Sequence, residues 1–381
     1  MKITIAIDSF KGCMTSADAC EYAARGFRQF LPDAQIMQVP VSDGGEGMLE
    51  TIAPVLEKSG FVRHEARVCG PYGQEVSCAF LAGGGKCVLE MAQSCGLGLQ
   101  DESSLDAKRA TTYGLGQAVL RALDLGCRSV TIGLGGSATN DGGAGFAQAL
   151  GARFYKKGGE VITGPVCGAD LAQIERIDIS SLDGRIKDTK FTGTCDVANP
   201  LLGAMGATMV FGRQKGASAE DLEMLERGMS GYAGTLRDLY SRDLCAVPGA
   251  GAAGGMGAAL MYYCGAELRP GIEAVMDVLD FDSILAGSAL AVTGEGRIDA
   301  QSAMGKVPSG VAARAGRMGI PVVALCGMAD EGAEQLYGKG VDAIFALCDG
   351  PMSIDESMAN ARVLMQRAAH NVARLFCAGK K

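Results

Sequence analysis

The residues best suited to chemistry lie in a glycine-rich run at positions 133–145, where six of thirteen residues are glycine. The run follows a short β-branched segment and precedes a helical one, so its backbone amides meet the positive end of a helix dipole. Such amides bind anions, above all phosphate, and a turn alone needs fewer glycines. The candidate ligands are Gly135, Gly136, Ser137, Thr139, Asn140 and Asp141. The alternative is a tight turn whose Asn or Asp caps the helix, although the carboxylate can also hold Mg²⁺.

Four other predicted strands end in charged or polar residues close to turns. These residues are Asp8 and Lys11, Asp43 and Glu46, Asp196 and Asn199, and Glu295, Arg297 and Asp299. One such end is usually a helix cap, and the spacing of Asp43 and Glu46 resembles a capping box. Four carboxylate-bearing ends instead predict convergence on one polar site. Lys215, in a further glycine turn, is either a phosphate clamp or a solvated lysine.

The residue types in these positions favour phosphoryl transfer. That reaction needs anion clamps, a metal and a carboxylate that orients or deprotonates a hydroxyl. Histidine-dependent chemistry is excluded as the main mechanism, because the two histidines, His64 and His370, both look structural. No P-loop or protein-kinase motif is present. Residues 249–254 match G-x-G-x-x-G, but they follow a poor strand, so close packing of a helix start explains them better than a dinucleotide site.

Composition narrows the class of protein further. The chain has 381 residues, 48% of them hydrophobic, and a net charge of −8, which argues against nucleic acid or anionic membranes as partners. The 14 cysteines are scattered without Cys-x-x-Cys spacing, and no segment resembles a secretory signal or a membrane span. We therefore expect a cytoplasmic protein with two domains and mostly buried thiols.

The periodicity predicts strands alternating with helices at both chain ends and hairpins after residue 61. Predicted strands cover residues 2–7, 34–41, 289–293 and 321–325, and predicted helices cover 105–125 and 355–376. The simplest fold that accounts for these elements is α/β. It has a doubly wound, Rossmann-like parallel-sheet domain formed by both chain ends, residues 1–66 and 289–381. A mixed α+β domain, residues 67–288, is inserted in it. A cleft would then collect the carboxyl ends of the parallel strands.

Taken together and in order, the motifs resemble those of the bacterial type I glycerate kinases. The resemblance covers nearly the whole chain. The matching segments are residues 8–12 (DSFKG), 40–47 (PVSDGGEG), 133–145 (GLGGSATNDGGAG), 195–201 (CDVANPL), 211–217 (FGRQKGA), 248–255 (PGAGAAGG) and 293–299 (TGEGRID). Three positions depart from the common pattern: Ser42, Ala198 and Met304.

The resemblance implies ATP-dependent phosphorylation of D-glycerate with Mg²⁺, with 2-phosphoglycerate favoured over 3-phosphoglycerate as the product. The ATP phosphates would lie near residues 135–141, clamped by Lys215 or Lys306. Glycerate's carboxylate would be held by Lys11 or Arg297. The remaining substrate-binding candidates are Asp8, Ser9, Glu295 and Asp299. The carboxylate facing the reacting hydroxyl is predicted to be Asp196, or Asp43 as second choice.

Metal ligands and oligomeric state stay open at this point. Two rival functions also remain. One is a non-catalytic sensor that binds an anion or nucleotide on the same fold, and ADP formation from ATP and D-glycerate distinguishes it from a kinase. The other is a nicotinamide-dependent oxidoreductase using residues 249–254, which requires binding of NAD(H).

Overall fold

The computed structural model describes residues 1–378. Its strands are β1 (Lys2–Ile7), β2 (Gln35–Gln38), β3 (Val62–Cys69), β4 (Glu75–Gly83), β5 (Lys86–Glu90), β6 (Ser129–Gly133), β7 (Arg153–Lys156), β8 (Ile174–Asp178), β9 (Lys190–Thr194), β10 (Glu267–Arg269), β11 (Leu290–Ile298), β12 (Val322–Ala329) and β13 (Ala343–Ala346). Its α-helices are α1 (Ser16–Phe30), α2 (Met48–Lys58), α3 (Ala92–Cys95), α4 (Tyr113–Asp124), α5 (Ala144–Ala149), α6 (Ala207–Phe211), α7 (Ala219–Tyr240), α8 (Ala252–Cys264), α9 (Gly271–Val278), α10 (Phe281–Leu285), α11 (Val307–Arg317), α12 (Ile354–Ala359) and α13 (Ala361–Ala378).

Contacts within the chain divide it into two compact units. Unit 1 comprises Met1–Asp43, Glu50–Val55 and the chain from Pro270 onward. Unit 2 comprises Gly44–Leu49 and Leu56–Arg269. The domain limits after residues 66 and 288 stay predictions.

Unit 1 is built on a five-stranded sheet in the order β13-β12-β11-β1-β2, with every neighbouring pair parallel. The inner strand β1 is buried from its second residue to its last, as expected for a parallel strand covered on both faces. Strand order reverses between β1 and β11, and open α/β sheets bind ligands at such a switch point, beyond the carboxyl ends of the strands. The predicted α/β fold class is confirmed.

Helices α1 and α13 pack together over this sheet. Thr15 caps α1, because its hydroxyl accepts a hydrogen bond from the Asp18 amide at 3.0 Å. The two helices approach so closely at Gly26 that a Cβ there would overlap the Gln366 carbonyl. Apolar side chains such as Phe27 and Met365 fill the space around this contact.

Unit 2 contains a six-stranded sheet in the order β10-β9-β6-β5-β4-β3. Strands β3, β4 and β5 pair antiparallel, in agreement with the hairpins predicted after residue 61. Strands β5, β6, β9 and β10 pair parallel, so the turns after β6 and β9 leave the sheet at one edge. The first of these turns is the glycine-rich run.

The helix predicted over residues 105–125 is wrong in its first turns, since α4 begins at Tyr113. Hydrogen bonds to distant groups hold the preceding chain in a non-helical path. The Thr111 amide donates to the Pro71 carbonyl at 2.9 Å, and its hydroxyl donates to the Val166 carbonyl at 2.6 Å. Periodicity alone does not reveal such long-range partners.

The single helix predicted over residues 355–376 is instead two helices, α12 and α13, divided at Asn360. The Asn360 side-chain amide donates to the Glu356 carbonyl at 2.8 Å, which ends α12 locally. Strand β2 is shorter than predicted and covers Gln35–Gln38.

The glycine run at 249–257 serves close packing, as the alternative to a dinucleotide site predicted. A Cβ at Gly251 would overlap the Pro200 carbonyl, and one at Gly254 would overlap the Thr139 carbonyl. Among residues 1–378 all 14 cysteines are free thiols, and Cys78, Cys87 and Cys95 are buried. In the same residues, no helix combines the length and apolar character needed to cross a membrane.

Candidate active site

A cavity of about 710 Å³ opens in unit 1 at the carboxyl ends of β1, β11, β12 and β13. It lies where the strand order reverses, which is the ligand-binding position of open α/β sheets. Sequence-predicted site residues from four separate segments line it: Asp8, Ser9, Lys11, Asp43, Glu295, Arg297, Asp299 and Lys306. The expected convergence of strand ends therefore occurs for the unit 1 residues.

Three carboxylates interact electrostatically within this cavity. Burial, together with the negative charges of Asp43 and Glu295, raises the pKa of Asp8 to about 7, against a hydrogen bond of 2.6 Å from the Ser9 amide. Burial also raises the pKa of Glu295, which is 8% exposed. Such mutual repulsion favours binding of a proton or a cation in this cluster.

Glu295 is held in place by its neighbours. The Ser302 hydroxyl donates a short hydrogen bond to Glu295 Oε1. This bond and the positive charge of Lys306 oppose the rise that burial causes in the Glu295 pKa. Asp299 caps the short turn that carries Ser302, because its side chain accepts a hydrogen bond from the Gln301 amide at 2.8 Å. Ser302 is a site residue that sequence reasoning missed.

Cations complete the polar side of the cavity. Arg297 is 60% exposed and pairs with Asp330, and its Nε lies 3.9 Å from Asp299 Oδ2. Within residues 1–378, neither Lys11 nor Lys306 forms an ion pair. Exposed pairs such as that of Arg297 contribute little to stability and exchange partners easily. All three cations can therefore bind an anionic ligand.

The other side of the cavity is apolar and was not predicted. Its wall, called the apolar wall below, consists of Met328, Leu347, Met352, Ile354, Met358 and Leu364. These residues come from β12, the turn after β13, and helices α12 and α13. Sequence analysis found the strand ends but had no signal for the apolar residues, which look like ordinary core residues.

The loop after β6 in unit 2 is organised by its own carboxylate. Asp141 is fully buried and accepts hydrogen bonds from the Thr112 amide at 2.8 Å, the Thr112 hydroxyl at 2.7 Å, the Gly143 amide at 3.0 Å and the Gly145 amide at 3.2 Å. Asp141 thus accepts two amide hydrogen bonds at the start of α5, whose N-cap is Gly143, and its role as a cofactor ligand stays a prediction.

Lys215 also serves this loop. Its ammonium group donates to Ser137 Oγ at 3.0 Å and to the Thr139 carbonyl at 2.7 Å, and the residue is 2% exposed. Burial lowers its pKa to about 7, against the charge of Asp141. Asn140 is likewise buried and donates to the Thr208 hydroxyl at 3.0 Å. These side chains hold the loop in shape.

The accessible part of the loop is small. Gly135 and Gly136 are partly exposed, whereas residues 137–143 are buried. Gly136 has a φ of +70°, and a Cβ there would come within 2.6 Å of Glu46 Oε2. Gly135 and Gly136 are thus the residues of the run most accessible to a ligand approaching from solvent.

Two further predictions concern the loop after β9 and the chain before α2. Asp196 is exposed in unit 2, just after β9. The capping-box alternative for Asp43 and Glu46 does not apply to α2, because that helix begins after Gly47, which has a φ of +84°. The buried carboxylate of Glu90 accepts hydrogen bonds from the amides of Gly47, at 3.3 Å, and Leu49 instead.

Comparison with known proteins agrees with the motifs. The profile of the glycerate kinase family matches residues 3–377. A glycerate 2-kinase of Escherichia coli (strain K12) is 42% identical over 383 residues, covering 100% of this chain and 99% of that protein. A glycerate kinase of Halalkalibacterium halodurans is 41% identical over 373 residues, covering 97% of each.

A solved structure leads to the same family. It is a crystal structure of a protein from Salmonella typhimurium LT2 described as a glycerate kinase 2, with a TM-score of 0.87 and 39% identity, covering 100% of this chain and 99% of that one. The resemblance seen in the motifs is confirmed, and this chain belongs to the glycerate kinase family.

Proposed function

We propose that this protein transfers the γ-phosphoryl group of ATP to a hydroxyl of D-glycerate, forming phosphoglycerate and ADP. Family membership supports the kinase activity. The observation that carries the assignment of the site is the meeting of four carboxylates and three cations in one cavity of unit 1. Phosphoryl transfer needs these groups, because catalysis depends on positioning and on neutralising charge.

Glycerate binds through its carboxylate in this proposal. Arg297 or Lys11 holds it, since a guanidinium binds a carboxylate with two parallel hydrogen bonds and an ammonium binds it as a point charge. Arg297 would exchange Asp330 for the substrate. The reacting hydroxyl then lies among Asp8, Asp43 and Glu295.

Asp8 accepts the hydroxyl proton. A general base works best when its pKa is near the operating pH, and the pKa of Asp8 is raised to about 7. As the proton passes to Asp8, the substrate oxygen bonds to the γ-phosphorus and the bond from that phosphorus to the leaving oxygen of ADP breaks. Lys306 stabilises the negative charge on the transferred group.

The acidic cluster fits Mg²⁺. Within residues 1–378, no three His, Cys, Asp or Glu residues form a complete metal site. Mg²⁺ in kinases, however, usually binds through one or two carboxylates together with phosphates and waters. Asp43 would hold it, because its charge already repels that of Asp8. When bound, Mg²⁺ supplies charge neutralisation to the phosphate groups.

Gly135, Gly136 and Ser137 stay proposed contacts for the ATP phosphates. Asp141 and Lys215 support that loop from behind, since protein groups already engage both side chains. Thr139 and Asn140 stay proposed cofactor contacts, because within the described residues Thr139 Oγ1 and Asn140 Oδ1 have no hydrogen-bond partner. We propose phosphorylation at the 2-hydroxyl, as in the name of the Escherichia coli relative. The free thiols of residues 1–378 support a cytoplasmic location.

The test is an assay with ATP, Mg²⁺ and D-glycerate that follows ADP, with ³¹P NMR of the product. We expect ADP formation that depends on glycerate, and a phosphorus signal from 2-phosphoglycerate. Absence of ADP would favour the sensor alternative and would overturn the proposal.

Three variants distinguish the candidate bases: Asp8→Asn, Asp43→Asn and Asp196→Asn. If Asp8 is the base, Asp8→Asn loses turnover even at saturating glycerate and Mg²⁺. Asp43→Asn should be rescued in part by higher Mg²⁺. Asp196→Asn should retain turnover, and a loss confined to that variant would restore Asp196 as the base.

A further inference from the structure

We propose that the apolar wall of the unit 1 cavity binds the adenosine of the phosphoryl donor. The inference rests on the proposed function and adds to it the position of the nucleoside. The sequence motifs give positions only for the phosphates and none for the nucleoside.

The size of the cavity requires a larger ligand than glycerate. Its volume is about 710 Å³. Pockets of roughly 300–1,000 Å³ hold ligands of drug size, whereas glycerate has only three carbons. A nucleotide is the larger of the two substrates of a kinase, so it is the ligand that accounts for the remaining space.

The chemistry of the lining changes across the cavity. Beyond β1 and β11 it is charged, and beyond β12 and β13 it is apolar. A nucleoside triphosphate has the same division, with an anionic end and a flat aromatic end. Its phosphates would face Lys306, and its purine would lie against the apolar wall.

The exposed side chains of the apolar wall indicate a binding surface. Leu347 and Leu364 are each 4% exposed and form its base, but Ile354 is 78% exposed and Met328 is 48% exposed. Exposed apolar side chains gathered at a cavity mark a binding surface more often than isolated ones do. A purine ring on Ile354 and Met328 would remove this apolar area from water.

Polar atoms are also available for the edge of the base. Cys348 Sγ and Ser357 Oγ lie 3.1 Å apart, and both residues line the cavity. The hydroxyl can donate to or accept from a purine nitrogen or amino group. Ligand pockets combine an apolar lining with a few such polar groups.

The first test fills the cavity. Ala346 and Ile354 both line it and are exposed, so substitutions there leave the core intact. We expect Ala346→Phe to raise KM for ATP at least about tenfold and Ile354→Ser to raise it severalfold, with KM for D-glycerate unchanged. Matched controls are Ala313→Phe and Val363→Ser, at exposed positions outside the cavity, which should leave both constants unchanged.

The second test needs no turnover. Cys348 is alkylated with N-ethylmaleimide, and its modification is measured by peptide mass spectrometry with or without adenosine, ADP or D-glycerate. We expect adenosine and ADP to slow its modification and D-glycerate alone to leave it unchanged.

The outcomes distinguish failure of the kinase function from failure of the adenosine site. A wild-type protein that makes no ADP overturns the proposed function itself. Active Ala346→Phe with an unchanged KM for ATP, together with unprotected Cys348, overturns only the nucleoside position. Equal rises in KM for ATP and KM for D-glycerate would assign the apolar wall to glycerate and would also overturn the proposed adenosine position.

Discussion

The cavity of unit 1 and the glycine loop of unit 2 look alike in sequence but differ in what their charged groups contact. In unit 1, Lys11 and Lys306 form no ion pair within residues 1–378, and Asp8 faces two other carboxylates. In unit 2, Asp141 and Lys215 are buried and hydrogen-bonded to the loop itself. The same residue types are therefore available to a ligand in one region and committed to the fold in the other.

The difference teaches how to interpret polar residues beside glycines. A buried charge is tolerated only when protein groups satisfy it, so its partners reveal whether it stabilises the fold. A carboxylate left among other carboxylates destabilises the fold and is better explained by function. Substitutions in the two regions should accordingly affect different measurements.

The largest effect is expected for Asp8→Asn. Loss of the general base should lower kcat by about 10³-fold, within the usual range of 10²–10⁴ for such groups. The free energy of unfolding should not fall, because the substitution removes a charge that burial and two neighbours disfavour. ADP release and urea unfolding measure the two quantities.

Asp330→Asn serves as the matched control for that variant, since Asp330 pairs with Arg297 but does not line the cavity. It should change kcat by less than about threefold. If Asp8→Asn unfolded the protein instead, unit 1 would resemble unit 2 and the comparison would fail.

The opposite pattern is expected for Asp141→Ala. The substitution removes the acceptor of four hydrogen bonds and leaves buried donors unsatisfied. The free energy of unfolding should fall by about 3 kcal/mol or more, seen as a lower urea midpoint, while protein that remains folded keeps its turnover. Lost turnover at an unchanged midpoint would show that Asp141 serves the ligand.

A smaller effect is expected for Arg297→Ala. KM for D-glycerate should rise about tenfold, in line with loss of one charged hydrogen-bonding group. Because the pair with Asp330 is exposed, the free energy of unfolding should change by less than about 0.5 kcal/mol. Arg297→Lys should recover only part of the affinity, since an ammonium lacks the planar fork. An unchanged KM in both variants would leave Lys11 as the carboxylate ligand.

The subtlest contrast concerns pH. The pKa of Asp8 rises from 3.8 to about 7 on folding, so the native state binds more protons in that window and its contribution to stability falls as pH increases. The pKa of Lys215 falls from 10.5 to about 7 on folding, so the unfolded state binds more protons between pH 7 and 10.5. The contribution of Lys215 to the free energy of unfolding therefore rises with pH in that range.

Urea unfolding across pH measures both contributions as differences from the wild type. The stability of Asp8→Asn relative to the wild type should increase as the pH rises from 4 to 7. The stability difference between Lys215→Met and the wild type should depend on pH only above pH 7. Parallel curves for all three proteins would mean that neither group changes its pKa on folding.

Much of the fold was predictable because it depends on local patterns. The alternation in residues 2–7 matches β1, and the strands predicted at 289–293 and 321–325 overlap β11 and β12. Predictions missed where distant groups decide the local path. Thr111 bonds to Pro71 and Val166, which delays α4, and Glu90 rather than Glu46 satisfies the amides at the start of α2. No local window contains those partners.

The candidate site was predictable to the same degree. Strand ends bearing Asp8, Lys11 and Glu295 were recognised because charge beside glycine stands out in a sequence. Ser302 and the apolar wall were missed, since a serine beside a buried carboxylate or a methionine in a cavity has no sequence mark that distinguishes it from one in a core.

By itself, the sequence determined the family, the α/β class and which residue types could handle phosphate, because motif order and hydrophobic period are properties of the chain. Only the tertiary structure decided which of those charges are available. Whether a carboxylate meets amide donors, as Asp141 does, or other carboxylates, as Asp8 does, depends on segments far apart in the chain. Burial and partners, which set the energy of a charge, exist only once the chain has folded.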